Sequence, residues 1–111
     1  MKKFVVIKTT FPATHLWPEC PIEEVDYLAY QHRHLFWVVM KFEVGHNNRD
    51  IEFIQKKCRV EEFIQREWYN NYLGWMSCED IAEELMKEFQ ADFVSVFEDN
   101  ENGAEIYGKD Y

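Results

Sequence analysis

Three of the four histidines in this 111-residue chain stand where folding can bring them together. His32 and His34 open the run HRHLFWVVMKFEV, whose even positions Phe36, Val38, Met40, Phe42 and Val44 make the apolar face of a strand. Side chains two apart on a strand point the same way, so both imidazoles look into one space. His15 closes a segment that begins with another apolar run, KFVVIKTTF. If the two strands pair antiparallel, the end of the first lies beside the start of the second. Three neutral imidazoles with a fourth position open are the donor set of a catalytic zinc site, because zinc accepts tetrahedral nitrogen ligands and keeps the last position for water or substrate. A His-x-His pair on an amphipathic strand also suits plain core packing, and periodicity does not choose between the two.

The elements that must position these side chains follow from pattern. Residues 3–11 read as a strand, and the proline-rich segment after it, with Pro12, Pro18 and Pro21, reads as a long loop. Residues 33–44 form a second strand, GHNN a turn, and RDIEFIQKK (49–57) a third strand. Helical spacing of Val60, Phe63, Ile64 and Trp68 predicts a helix from about Arg59 to the stop signals Asn70, Asn71 and Gly74. A second helix is capped by Ser77, carries Glu79 and Asp80 in its first turn and lines one face with Ile81, Ala82, Leu85, Met86 and Phe89. Val94, Val96 and Ile106 alternate about Asn102-Gly103 as a final hairpin. The expected order is β-β-β-α-α-β-β in one α+β domain spanning 1–111, a sheet with two helices on one face. Leu35, Trp37 and Val39 give the opposite face apolar content between Arg33 and Lys41, which predicts a homo-oligomer.

Composition narrows the function classes. Hydrophobic residues make up 47% of the chain, enough for a packed core. A formal net charge of -9 repels phosphate backbones, so no nucleic acid partner is expected. Apolar runs such as LFWVVM are too short to span a bilayer, and the start MKKFVVIKTTF turns polar before a signal core forms. No membrane partner is expected, and a soluble cytoplasmic protein is. Cys20, Cys58 and Cys78 form no CxxC motif and no even-numbered disulfide framework.

The strings FPATHLW, HRH, DIEFIQKK, MSCEDIAEEL and VSVFEDNENGAEIY resemble, in order, the motifs F-x-A-x-H, H-G-H, V-x-D-F-x-x-L-K, P-T-x-E-N-x-A and V-x-V-x-E-T of the 6-pyruvoyltetrahydropterin synthase and 6-carboxytetrahydropterin synthase family. The resemblance spans nearly the whole chain. It implies the T-fold, an antiparallel four-stranded sheet with two helices on one side whose subunits join edge to edge into a barrel, as trimers or hexamers with sites at subunit interfaces. It implies zinc (Zn2+) held by His15, His32 and His34, and a pterin or purine-like small molecule anchored by Glu98, whose carboxylate can accept two N–H donors. Ser77 and Cys78 fall where the family places a threonine and a serine beside the ring.

The departures fall on the chemistry. The family's cysteine, four or six residues before H-G-H, is replaced by Leu28 or Asp26, and Cys20 lies too far upstream. Asp26, with Glu23 and Glu24 nearby, is a candidate catalytic base. The family's Asp-His pair has no counterpart in EWYNNYLGWM, and His46 sits in a turn elsewhere. The expectation is a zinc-binding, 6-pyruvoyltetrahydropterin synthase-like protein recognising a ring through Glu98, a carbon–oxygen lyase if Asp26 or a loop carboxylate serves as base. The alternatives are a non-catalytic T-fold binder that sequesters or senses a pterin or nucleotide, and a structural barrel with packed histidines.

Overall fold

In the computed structural model, which describes residues 1–108, two long strands form the spine: β1 (Lys3–His15) and β2 (His32–Val44). They pair antiparallel along their whole length, from Lys3 opposite Val44 to His15 opposite His32. A 3-10 helix, Glu23–Ala29, lies in the connection between them. Two helices follow, α1 (Phe53–Glu67) and α2 (Cys78–Phe89), and then the hairpin β3 (Phe93–Glu98) and β4 (Asn102–Tyr107). The sheet order is β1-β2-β3-β4, with every neighbour antiparallel. This is an α+β architecture whose four-stranded sheet and two packed helices agree with the arrangement implied by the resemblance.

Alternation places the core. Ile7, Phe11 and Ala13 of β1, Phe36, Val38, Met40 and Phe42 of β2, and Val94 and Val96 of β3 are buried on one face. Against them α1 presents Val60, Phe63 and Ile64, and α2 presents Ile81, Ala82 and Leu85. Phe11 and Phe36 stack at 5.2 Å between ring centroids. On the other face Val6, Leu35 and Trp37 remain exposed. Among the described residues, no helix is long and apolar enough to cross a membrane.

Three expectations are corrected. The strand expected at 49–57 is absent: the chain bends there, and α1 begins at Phe53, six residues before Arg59. Glu52 decides this by capping the helix, its carboxylate accepting from the amides of Ile54 and Gln55 at 3.0 Å each. Phe53 and Ile54, which suggested a strand, are mostly exposed on the first turn. The order is therefore β-β-α-α-β-β, with one strand fewer than expected.

Second, β1 does not stop at Phe11 but runs through Pro12 to His15. An edge strand tolerates a residue without an N–H. The segment after α1 lies along this edge: the Asn70 amide donates to the Pro12 carbonyl (2.6 Å), Thr14 to Asn71 (3.0 Å), Leu73 to Thr14 (2.7 Å) and Leu16 to Gly74 (3.0 Å). Asn70 and Gly74 adopt left-handed φ of 57° and 65°, which bends this strap against the strand. Third, the hairpin turns at Asp99 and Asn100, with φ of 54° and 57°, and not at Asn102-Gly103. Gly103 lies within β4, where a Cβ would overlap the Val96 carbonyl oxygen.

Phe36 ties the core to the histidine end of the sheet, being fully buried with its ring 5.4 Å from His15 and 5.8 Å from His34. Phe36→Ala is expected to cost about 3–5 kcal/mol, the usual cost of removing a buried phenyl group. Urea denaturation measures this, and a loss below about 1 kcal/mol would show that the ring is not part of the continuous core.

Candidate metal centre

The strand register gathers the site. His15 is directly opposite His32, Ala13 opposite His34, and Phe36 opposite Glu98. His15, His34 and Glu98 fall on the core-facing parity of their strands, at the end where the apolar stripe runs out. Ring centroids of the three histidines lie 4.5 to 5.3 Å apart. One nitrogen from each histidine and one oxygen of Glu98 lie within 4.8 Å of one another, so these four residues could hold a metal ion.

Each imidazole is fixed through its Nδ1. His15 Nδ1 lies 2.7 Å from the Met76 carbonyl, His32 Nδ1 2.8 Å from the Tyr30 carbonyl, and His34 Nδ1 2.7 Å from an Asp99 carboxylate oxygen. All three partners are acceptors, so each Nδ1 carries a proton and donates it. In the neutral ring this leaves Nε2 as an unprotonated lone pair, the state in which histidine binds metal. Asp99 is itself braced, accepting from the Leu35 amide at 3.0 Å while its own amide donates to the Leu35 carbonyl at 2.8 Å. The Leu35 amide first, and His34 second, hold its carboxyl below the ordinary range.

Glu98 Oε2 lies 2.9 Å from His15 Nε2 and 3.6 Å from His34 Nε2. Both nitrogens are buried, and in the neutral, Nδ1-protonated rings neither has a proton to give to this oxygen, so neither makes a hydrogen bond in that state. A carboxylate oxygen facing an imidazole lone pair at this distance sets one acceptor against another. Positive charge between them, as a proton or a cation, turns this repulsion into attraction. Two of the spacings suit a metal: ligands about 2.0–2.1 Å from a tetrahedral zinc stand roughly 3.3 Å from one another, the two Glu98 distances bracket that value, and the donor group as a whole lies within 4.8 Å.

His15, His32 and Glu98 open onto a cleft of about 480 Å³ that Ser77 and Cys78 also line. Ser77 caps α2, its hydroxyl accepting from the Asp80 amide at 3.1 Å. Burial first, then the charges of Glu98 and Glu79, push the Cys78 thiol up to about 12, so in the metal-free protein it is protonated at neutral pH. Asp26 is exposed on the 3-10 helix and is not among the residues lining the cleft, whereas Leu28 is. Cys20 also lies outside the cleft, its sulfur 3.6 Å from the Val25 carbonyl. His46 stays in its turn, its Nδ1 accepting from the Asn48 amide at 3.1 Å.

Sequence reasoning did not find Asp99, Trp17, Trp75 or the two orienting carbonyls. The tryptophans line the cleft and are 43% and 74% exposed, a large aromatic surface beside the histidines. Loop tryptophans outside any periodic pattern carry no signal of this kind. A backbone carbonyl carries none in any residue type.

The metal-free pair has a defined pH window. Burial opposes charging His15, but the hydrogen bond to Glu98, the bond to the Met76 carbonyl and the Glu98 charge outweigh it and raise its pKa above 6.5. The bond to His15 lowers Glu98 below 4.5, against burial and aided by the charges of His34, His15 and His32. Stability from the raised histidine is complete below its unfolded value and lost as pH rises through its folded value; that from the depressed carboxyl is complete above its unfolded value and lost as pH falls. The stability advantage of the metal-free parent over Glu98→Gln is therefore expected to be greatest between pH 4.5 and 6.5 and to shrink on both sides. Thermal melts across pH test this, and an advantage independent of pH would contradict the pairing.

No family model matches this chain and no curated protein matches it.

Proposed function

We propose that this protein is a zinc-binding, 6-pyruvoyltetrahydropterin synthase-like T-fold protein that binds a pterin or purine-like ring, acting as a binder that sequesters or senses its ligand. The observation that carries the metal is the set of three imidazoles, each tied by Nδ1 to an oxygen acceptor, with Nε2 atoms that converge beside Glu98. His15, His32 and His34 would hold the ion. A bound zinc ion supplies Lewis acidity toward a hydroxyl or carbonyl oxygen of the ligand.

The protein supplies the rest of the recognition. Glu98 lines the cleft, and a carboxylate there can accept paired N–H donors from the edge of a pyrimidine-type ring. Trp17 and Trp75 offer flat faces for stacking. With His15 and His32 given to the metal, the titratable side chains left on the cleft among the described residues are Glu98, the exposed Glu79 and the Cys78 thiol, which burial pushes up, and these make no evident acid–base pair for turnover. General acid and base groups contribute about 10²–10⁴-fold each, so binding outlasts their loss and rapid lyase chemistry does not. The exposed Val6, Leu35 and Trp37 support a homo-oligomer, a trimer or hexamer in the T-fold arrangement, with the cleft at a subunit boundary.

Titration of the zinc-loaded protein with pterin or guanosine is expected to give saturable quenching of tryptophan fluorescence. Glu98→Gln is expected to weaken that binding by about tenfold or more, the worth of a charge-assisted hydrogen bond. No quenching and no heat of binding with either compound would overturn the ring-binding reading.

A further inference from the structure

The position of Glu98 bears on whether the metal has an open coordination site, a question separate from which ring enters the cleft. Its Oε2 sits among the imidazole nitrogens, 2.9 Å from His15 Nε2 and 3.6 Å from His34 Nε2, and all four donor atoms lie within 4.8 Å of one another. The backbone beneath it is fixed. Glu98 ends β3 opposite Phe36, the Asp99 amide bonds the Leu35 carbonyl at 2.8 Å, and the Glu101 amide closes the turn on the Glu98 carbonyl at 3.0 Å. The carboxylate thus hangs on a short tether from a rigid point, within reach of the imidazoles and also facing the cleft.

We infer that Glu98 is the fourth ligand of the resting metal, so that the centre is coordinatively closed until this carboxylate leaves. The inference rests on the zinc-binding reading above and deepens it. Catalytic zinc sites hold three protein ligands and keep the fourth position for water or substrate, whereas four protein ligands close the site. Here the closing ligand is also the group placed to accept N–H donors from a ring. A carboxylate oxygen bonded to a metal is a poorer acceptor for those donors, so metal and ring compete for Glu98. A ring with paired N–H donors, such as the amino and adjacent ring N–H of pterin or guanine, would draw the carboxylate off and free a coordination position on the metal. A ligand lacking those donors would meet a closed metal. Glu98 therefore acts as a guard that couples access to the metal to recognition of the ring.

Cobalt(II) in place of zinc reports coordination through its visible absorption, and azide probes for an open position without any ring ligand. The cobalt-loaded parent is expected to show a four-coordinate spectrum that azide leaves unchanged. Glu98→Ala is expected to retain cobalt on the three histidines and to show a saturable azide-dependent shift, with Glu98→Gln serving as a variant of similar volume. Pterin added to the parent is expected to make it responsive to azide. An azide response in the unliganded parent equal to that of Glu98→Ala would overturn the inference and leave the three-histidine reading intact. Failure of the parent to take up cobalt at all would overturn both.

Discussion

The arrangement around the site depends on one contact, an imidazole lone pair and a carboxylate oxygen held face to face, His15 Nε2 against Glu98 Oε2 at 2.9 Å. Because the His15 Nδ1 proton is committed to the Met76 carbonyl, the neutral pair presents two acceptors to each other. The protein holds them there on one face of the sheet, from the two strands that flank β2. β1 carries the histidine at the sheet edge and β3 carries the carboxylate, with β2 between them. Such a contact is stable only with positive charge in the middle. A proton serves at mildly acid pH, and a divalent cation held also by His32 and His34 would serve where the imidazoles are neutral.

Much of the fold serves to impose that contact. The long pairing of β1 with β2 places His15 opposite His32 by register alone. The strap of residues 70–76 fastens the end of β1 through the hydrogen bonds of Asn70, Leu73 and Gly74, and its Met76 carbonyl orients the His15 ring. At the other strand, the turn after β3 places Asp99 on both the His34 ring and the Leu35 amide. A non-glycine residue at φ 54° is a modestly strained conformation, and here the strain is offset by two hydrogen bonds to the carboxylate. Connections that look irregular in outline are the parts that fix the tautomers.

How much of this was legible depends on what kind of information each feature carries. The apolar faces of β1, β2 and α2 are written in side-chain periods, and so is the shared face of His32 and His34. The convergence of His15 needed only the assumption of antiparallel pairing. The segment 49–57 was misread because Ile51, Phe53 and Ile54 mimic a strand, while the Glu52 cap that starts the helix has no period at all. Asp99 was illegible because its role comes from a turn geometry that the Asn102-Gly103 pair appeared to claim. Glu98 was singled out only through the resemblance, as an expected ring anchor; its place among the histidines required the register of β2 with β3. Asp26 could be proposed as a base from position in the chain, and its exposure on the 3-10 helix leaves it outside the cleft.

The central claim is that these imidazoles hold a metal and do not merely pack. Native mass spectrometry with elemental analysis, on protein purified without chelator beside a His32→Ala, His34→Ala double variant, tests it most directly. The account predicts about one zinc per chain in the parent, the stoichiometry of a single four-ligand centre, and none in the double variant. A parent free of metal, or a double variant that retains as much as the parent, would contradict it.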